Sequence, residues 1–144
     1  MEILLALHAA ATLMMTGLVW FVQVVHYPLF QLVGAAEFVR YEHEHTRRIT
    51  WLVAPLMGLE ALTAGALVFL ADGTAARVLA LVGLLLVAAI WTSTACVQVP
   101  CHRKLSAEFA LPAVRRLVTT NWLRTVAWTA RSGLALTLSA MIQR

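Results

Sequence analysis

Five histidines and a handful of carboxylates and amides carry what chemistry this chain of 144 residues can do. In "FVRYEHEHTRRITW", Glu42 and His45 stand in Glu-x-x-His spacing. On a helix that puts both side chains on one face, as in bundles that bind two metal ions through carboxylates. Such bundles need two of these motifs and further glutamates; one motif is present here. "VQVVHYP" closes one apolar run with Gln23 and His26, and "VQVPCHRK" closes another with Gln98 and His102. His26, Glu42, His45 and His102 therefore form a candidate metal set, because neutral imidazole and carboxylate suit zinc, iron, copper or manganese. His26 and His102 on neighbouring helices, flanked by Gln23 and Gln98, are alternatively the axial ligands of a b-type haem. A structural alternative stands beside both. Gln and His then act as interhelical hydrogen bonds of about 1 kcal/mol each, and residues 38–48 form a solvated amphipathic helix on the lipid surface, with Phe38 and Tyr41 dipping in.

"CVQVPCH" invites a haem-attachment reading, but its counterpart "VQVVHYP" has no cysteine. The recurring chemistry is Gln and His. Cys96 and Cys101 read as free thiols on a buried helix, and their spacing is not that of the common redox dithiol. Pro100 is expected to end or kink its helix. The one aspartate, Asp72, is expected on the side of the membrane opposite the histidines, so a Ser-His-Asp arrangement is not supported, and there is no Gly-rich phosphate loop.

Two full charges, Glu60 and Arg131, fall deep inside apolar runs at matching depth. An unpaired charge there costs at least about 2.5–3.5 kcal/mol, so the two are expected to pair. The competing expectation is a polar cavity in which Glu60 relays protons as a catalytic group with Asn121 and Arg124. In that scheme Arg47 and Arg124 hold an anionic or carbonyl group of the substrate.

The elements that must position these residues are apolar. The chain is 61% hydrophobic and 12% charged, against roughly 25% charged residues in soluble domains. Four stretches, 3–25, 49–70, 77–99 and 122–142, each approach the ~20 residues needed to cross ~30 Å of hydrocarbon. Backbone groups in lipid must bond internally, so these are helices. The expected fold is all-α: one integral membrane domain over 1–144, a four-transmembrane-helix bundle. The first stretch carries Glu2 and no lysine or arginine at its start, and it is long for a signal peptide; it reads as a retained helix.

Net charge is +4, but its placement rejects nucleic acid as a partner. Arg40, Arg47, Arg48, Arg103, Lys104, Arg115 and Arg116 all fall in the segments joining helices 1–2 and 3–4, with Arg77 and Arg144 opposite. The positive-inside bias then puts those connections in the cytoplasm and both termini outside. Anionic lipid head groups of the bilayer suffice as partners. The second connection also reads as interfacial, broken at Pro112, and the two connections would together form a lid over the histidines.

The halves echo each other. Gln23 corresponds to Gln98, His26 to His102 with one residue slipped, and "RRITW" to "RTVAW" some 77 residues on. Two similar helical hairpins in parallel orientation imply an internal duplication about an axis along the membrane normal.

The strings "WFVQVVHYPLF", "YEHEHTRRITWLVAP", "VQVPCH" and "NWLRTVAW" resemble a family of small bacterial four-helix membrane proteins without an assigned activity. More loosely, size and layout are similar to the anthrone-oxygenase-like membrane proteins and to the HemJ-type protoporphyrinogen oxidases. These resemblances imply a bacterial inner-membrane location and redox chemistry on a lipophilic or tetrapyrrole-like substrate; no residue is carried over from them. The leading functional expectation is a metal- or haem-dependent oxidoreductase or oxygenase. The alternatives are a non-catalytic membrane subunit or binding protein, and a small transporter. A homo-oligomer is compatible with each.

Overall fold

A computed structural model describes residues 1–142. Its helices are α1 (Glu2–Phe21), α2 (Tyr27–Leu29), α3 (Ala35–Leu70), α4 (Thr74–Ser93), α5 (Val99–Ala107) and α6 (Leu111–Ile142), and the described residues contain no strand. A π-helical turn, Val22–His26, joins α1 to α2, and a 3-10 turn, Phe30–Leu32, follows; a second π-turn, Thr94–Gln98, joins α4 to α5. In effect the bundle has four long rods, 2–32, 35–70, 74–107 and 111–142.

α1 packs on α3 and α6, and α4 packs on the same two helices, so the four rods form a square with α1 diagonal to α4. Three clusters fill it along its length. Leu5, Leu67, Ala76, Ala80 and Leu138 fill the end nearest Met1. Met15, Val19, Met57, Ile90 and Trp128 fill the middle. Phe30, Phe38, Leu105, Val114 and Leu117 fill the end that carries most of the basic residues. The outer face is greasy: Trp51 is 79% exposed, and Leu62, Phe69, Leu85 and Leu123 also point outward. Exposed apolar area on that scale is what lipid covers in a membrane protein.

Three rods, Glu2–Leu32, Ala35–Leu70 and Thr74–Ala107, are long and apolar enough to cross a membrane. The fourth apolar stretch of the sequence, 122–142, belongs to a helix of ample length but more polar composition. The reason lies in its orientation: Asn121, Arg124, Thr125 and Arg131 are all buried among the other three rods, where most of their polar atoms find partners.

The connections differ from their sequence reading. Residues 35–48 do not lie on a surface as a separate amphipathic helix; they are the first turns of α3, which continues unbroken through Pro55. Phe38 is fully buried against Phe30 and Phe109. Pro112 does not break a segment but opens α6 in its first turn, where the missing N–H costs nothing. Pro28 and Pro100 do not end their rods either. Each stands two residues after the end of a π-turn. A proline cannot bond the carbonyl four residues earlier and its ring presses on it; the widened turn moves that carbonyl aside, and the rod runs on. Among the described residues only the α3–α4 connection needs glycine, at Gly73 with φ +81°.

Candidate functional site

The three histidines and the glutamate expected to converge do so at the basic end, inside the cap formed by the second halves of rods 1 and 3 and the first halves of rods 2 and 4. The π-turn aims His26 inward, where its Nε2 lies 2.8 Å from Nδ1 of His45. His45 also neighbours His102, with ring centroids 5.5 Å apart. His102 Nδ1 is 2.5 Å from Oε1 of Glu42, and its Nε2 is 3.0 Å from the Tyr27 hydroxyl. The pattern that satisfies both contacts has Nδ1–H donating to the Glu42 carboxylate and the Tyr27 O–H donating to Nε2. Glu42 is fully buried, and its second oxygen has no partner.

Thus the expected metal set forms two bonded pairs, His26–His45 and Glu42–His102. Among the described residues no three His, Cys, Asp or Glu side chains converge as a ligand group. The haem pairing meets a related obstacle: His102 spends both ring nitrogens on Glu42 and Tyr27, and His26 points one at His45. Glu42 and His45, one turn apart, do share a helix face.

Gln23 and Gln98 are both buried, but in separate contacts. Gln23 accepts from Asn121 Nδ2 at 2.9 Å and donates to the Val118 carbonyl. Gln98 accepts from Ser93 and reaches Thr120. Asn121 in turn accepts from Arg124 Nη1 at 3.1 Å. The two π-turns are 72 residues apart and bring Pro28 into register with Pro100. By that register His26 matches Gln98, not His102, and Gln23 matches Ala95. The halves share a backbone device, while their polar side chains fall at different positions on it.

Below the cap, Arg124 sits over the Trp128 ring at 5.0 Å. Trp128 Nε1–H donates to both oxygens of Glu60, at 3.0 and 3.2 Å. Arg131 Nε donates to Glu60 Oε1 at 3.0 Å, and both residues of the pair are 1% exposed. Arg131 Nη1 donates to the Gly83 carbonyl. The expected Glu60–Arg131 pairing is therefore present. Asn121 and Arg124 are not joined to Glu60 by direct bonds; Trp128 lies between. One turn away, His8 Nδ1 meets Thr63 Oγ1 at 2.9 Å.

Arg47 stands apart from the site. It is largely exposed and bonds Glu44 at 2.8 Å, as Arg48 does at 3.1 Å. Cys96 is exposed and Cys101 buried, both free. Thr16 bonds the Trp128 carbonyl and Ser132, and Trp20 donates to Thr129, so these polar side chains tie α1 to α6. Sequence reasoning missed Tyr27. Its only signal is its place beside His26 and before Pro28.

An open groove runs between α1 and α3 on the outer surface. Leu18, Phe21, Ile49 and Leu52 line it, with His26, His45 and Tyr41 at one end and Glu44 and Arg48 at its edge.

Comparisons with protein-family models, with curated proteins and with solved structures found no match, so the site stands on its own geometry.

Proposed function

We propose that this chain is an integral membrane protein that carries out acid–base chemistry on a lipophilic small molecule at the basic end of its bundle. The observation that carries this reading is the run of imidazoles His26, His45 and His102, ending on the buried Glu42 and Tyr27. A bundle held together only by packing has no need of three imidazoles and a carboxylate in one cap, and buried polar groups are costly unless they bond.

The pair His26–His45 shares one hydrogen. When both rings are neutral, one outward nitrogen carries a hydrogen and the other a lone pair. A proton taken up at one outward nitrogen and released at the other swaps the two tautomers, so the pair can act as acid and base. Positioned acid–base groups of this kind contribute roughly 10²–10⁴-fold to rate. Glu42 holds His102 in one orientation, as a second partner does for a working histidine.

The test is chemical extraction. Protein purified into lipid nanodiscs should yield, on organic extraction and mass spectrometry, a lipophilic molecule near one per chain, and the His26→Ala/His45→Ala variant should lose it. Equal recovery from both proteins would overturn the reading.

A second reading keeps the oxidoreductase or oxygenase class, in which a bound metal ion or haem would pass electrons between the substrate and a second reactant. It is favoured by one observation, the unpartnered Glu42 oxygen beside His102. Metal and haem stoichiometry decides it: the reading needs a near-stoichiometric cofactor that His102→Ala removes.

A further inference from the structure

We infer that the groove between α1 and α3 admits a neutral phenol laterally from the bilayer and seats its hydroxyl on the His26–His45 pair; the inference rests on the acid–base reading above and names its substrate class. The walls are Leu18, Phe21, Ile49 and Leu52, and the groove opens to the outer face, where Phe21 and Leu52 are exposed. A molecule dissolved in lipid therefore meets apolar side chains first and polar ones last.

The head group follows from what the polar end offers. The neutral imidazole pair presents one outward N–H donor and one outward lone pair, and a hydroxyl can meet either of them, accepting from the first or donating to the second. A carboxylate or phosphate head would want a cation. The nearest, Arg48, is already bonded to Glu44, which Arg47 also holds. The ring follows from the neighbours: Phe21 lies stacked with His26 at 6.4 Å and Tyr41 tilts against it at 6.2 Å. A planar aromatic extends that stack through offset contacts; an aliphatic alcohol does not.

The test uses the full chain in nanodiscs with 15N-labelled histidine and 4-nonylphenol as probe. Saturable shifts are expected at the His26 and His45 rings and none at His43, which is exposed outside the groove. Leu52→Trp should fill the groove and weaken binding at least tenfold while leaving the hydrogen-bonded His26–His45 proton visible. Lauric acid, a carboxylate of similar length, should not compete. A saturable lauric acid response of equal strength, or nonylphenol shifts unchanged in Leu52→Trp, overturns the groove assignment. A wild-type protein that shows the His26–His45 proton but no response to nonylphenol also overturns it and leaves the acid–base reading standing. Absence of that shared proton in wild type removes both.

Discussion

In the middle of the bundle the Glu60 carboxylate is held from two sides, by the Trp128 indole and the Arg131 guanidinium, with no water-exposed surface left on either charge. Glu60→Gln should destabilise the bundle by about 3–5 kcal/mol, because it strands a buried guanidinium; Arg131→Met added to it should recover part of the loss. Unfolding in mixed micelles measures both, and a neutral single variant would mean the pair contributes no net stability. Glu42→Gln tests the cap differently. Removing the charge takes away the reason for Nδ1–H on His102, so the ring should change tautomer, with the Tyr27 hydroxyl becoming an acceptor. The 15N shifts of the two ring nitrogens read this directly; an unchanged tautomer would show that an uncharged acceptor at residue 42 suffices and that the carboxylate charge does not set it. The Glu60–Arg131 pair was legible in the sequence because depth along a helix is simple counting at 1.5 Å per residue. Tyr27 was not, because nothing in its type or spacing separates a core tyrosine from one bonded to His102.

At the scale of elements, the two π-turns decide which side chains face the cap. A widened turn holds one more residue than an α-turn, so side chains on its two sides are offset by about 100° from an ideal 3.6-residue stripe. The sequence alignment of Gln23 with Gln98 and His26 with His102 does not survive as matching positions, because the two turns align 72 residues apart and those pairs are 75 and 76 residues apart. Helical periodicity correctly gathered His26, Glu42, His45 and His102 at one end, since coarse position tolerates a one-residue error. It could not assign who bonds whom, which depends on the inserted residue. Pro28→Ala should let the first π-turn relax toward α, turning His26 away from His45. Helix content by circular dichroism should be unchanged, while the shared His26–His45 proton disappears from the NMR spectrum. Retention of that proton would show that packing against Phe30 and Tyr41, and not the turn, aims His26.

For the whole molecule, the outward-facing Trp20, Trp51, Trp91 and Trp122 fall near the point where each rod passes from its apolar part to the cap, and tryptophan concentrates at membrane interfaces. From Trp51 to Leu70 α3 runs about 28 Å at 1.5 Å per residue, close to the ~30 Å of hydrocarbon. With that span in hydrocarbon, the cap would stand at and beyond the head groups; it has its own core of Phe30, Phe38, Leu105, Val114 and Leu117. Composition made the apolar rods legible; the cap was read as surface helices because its buried aromatics alternate with charges that face solvent. Arg40, Arg47, Arg48, Arg103, Lys104, Arg115 and Arg116 belong to that end, whereas the far end has Arg77 beside Asp72 and Glu2; Arg144 lies outside the described residues. The charge difference predicts that the cap faces the cytoplasm. Single cysteines placed in a Cys96→Ser/Cys101→Ser background test it with a membrane-impermeant maleimide. Asp72→Cys, in the exposed α3–α4 turn, should label in intact cells. Arg115→Cys, exposed on the cap, should label only after the membrane is opened. The reverse pattern would put the histidine site on the outer face and would make any substrate reach it from that leaflet.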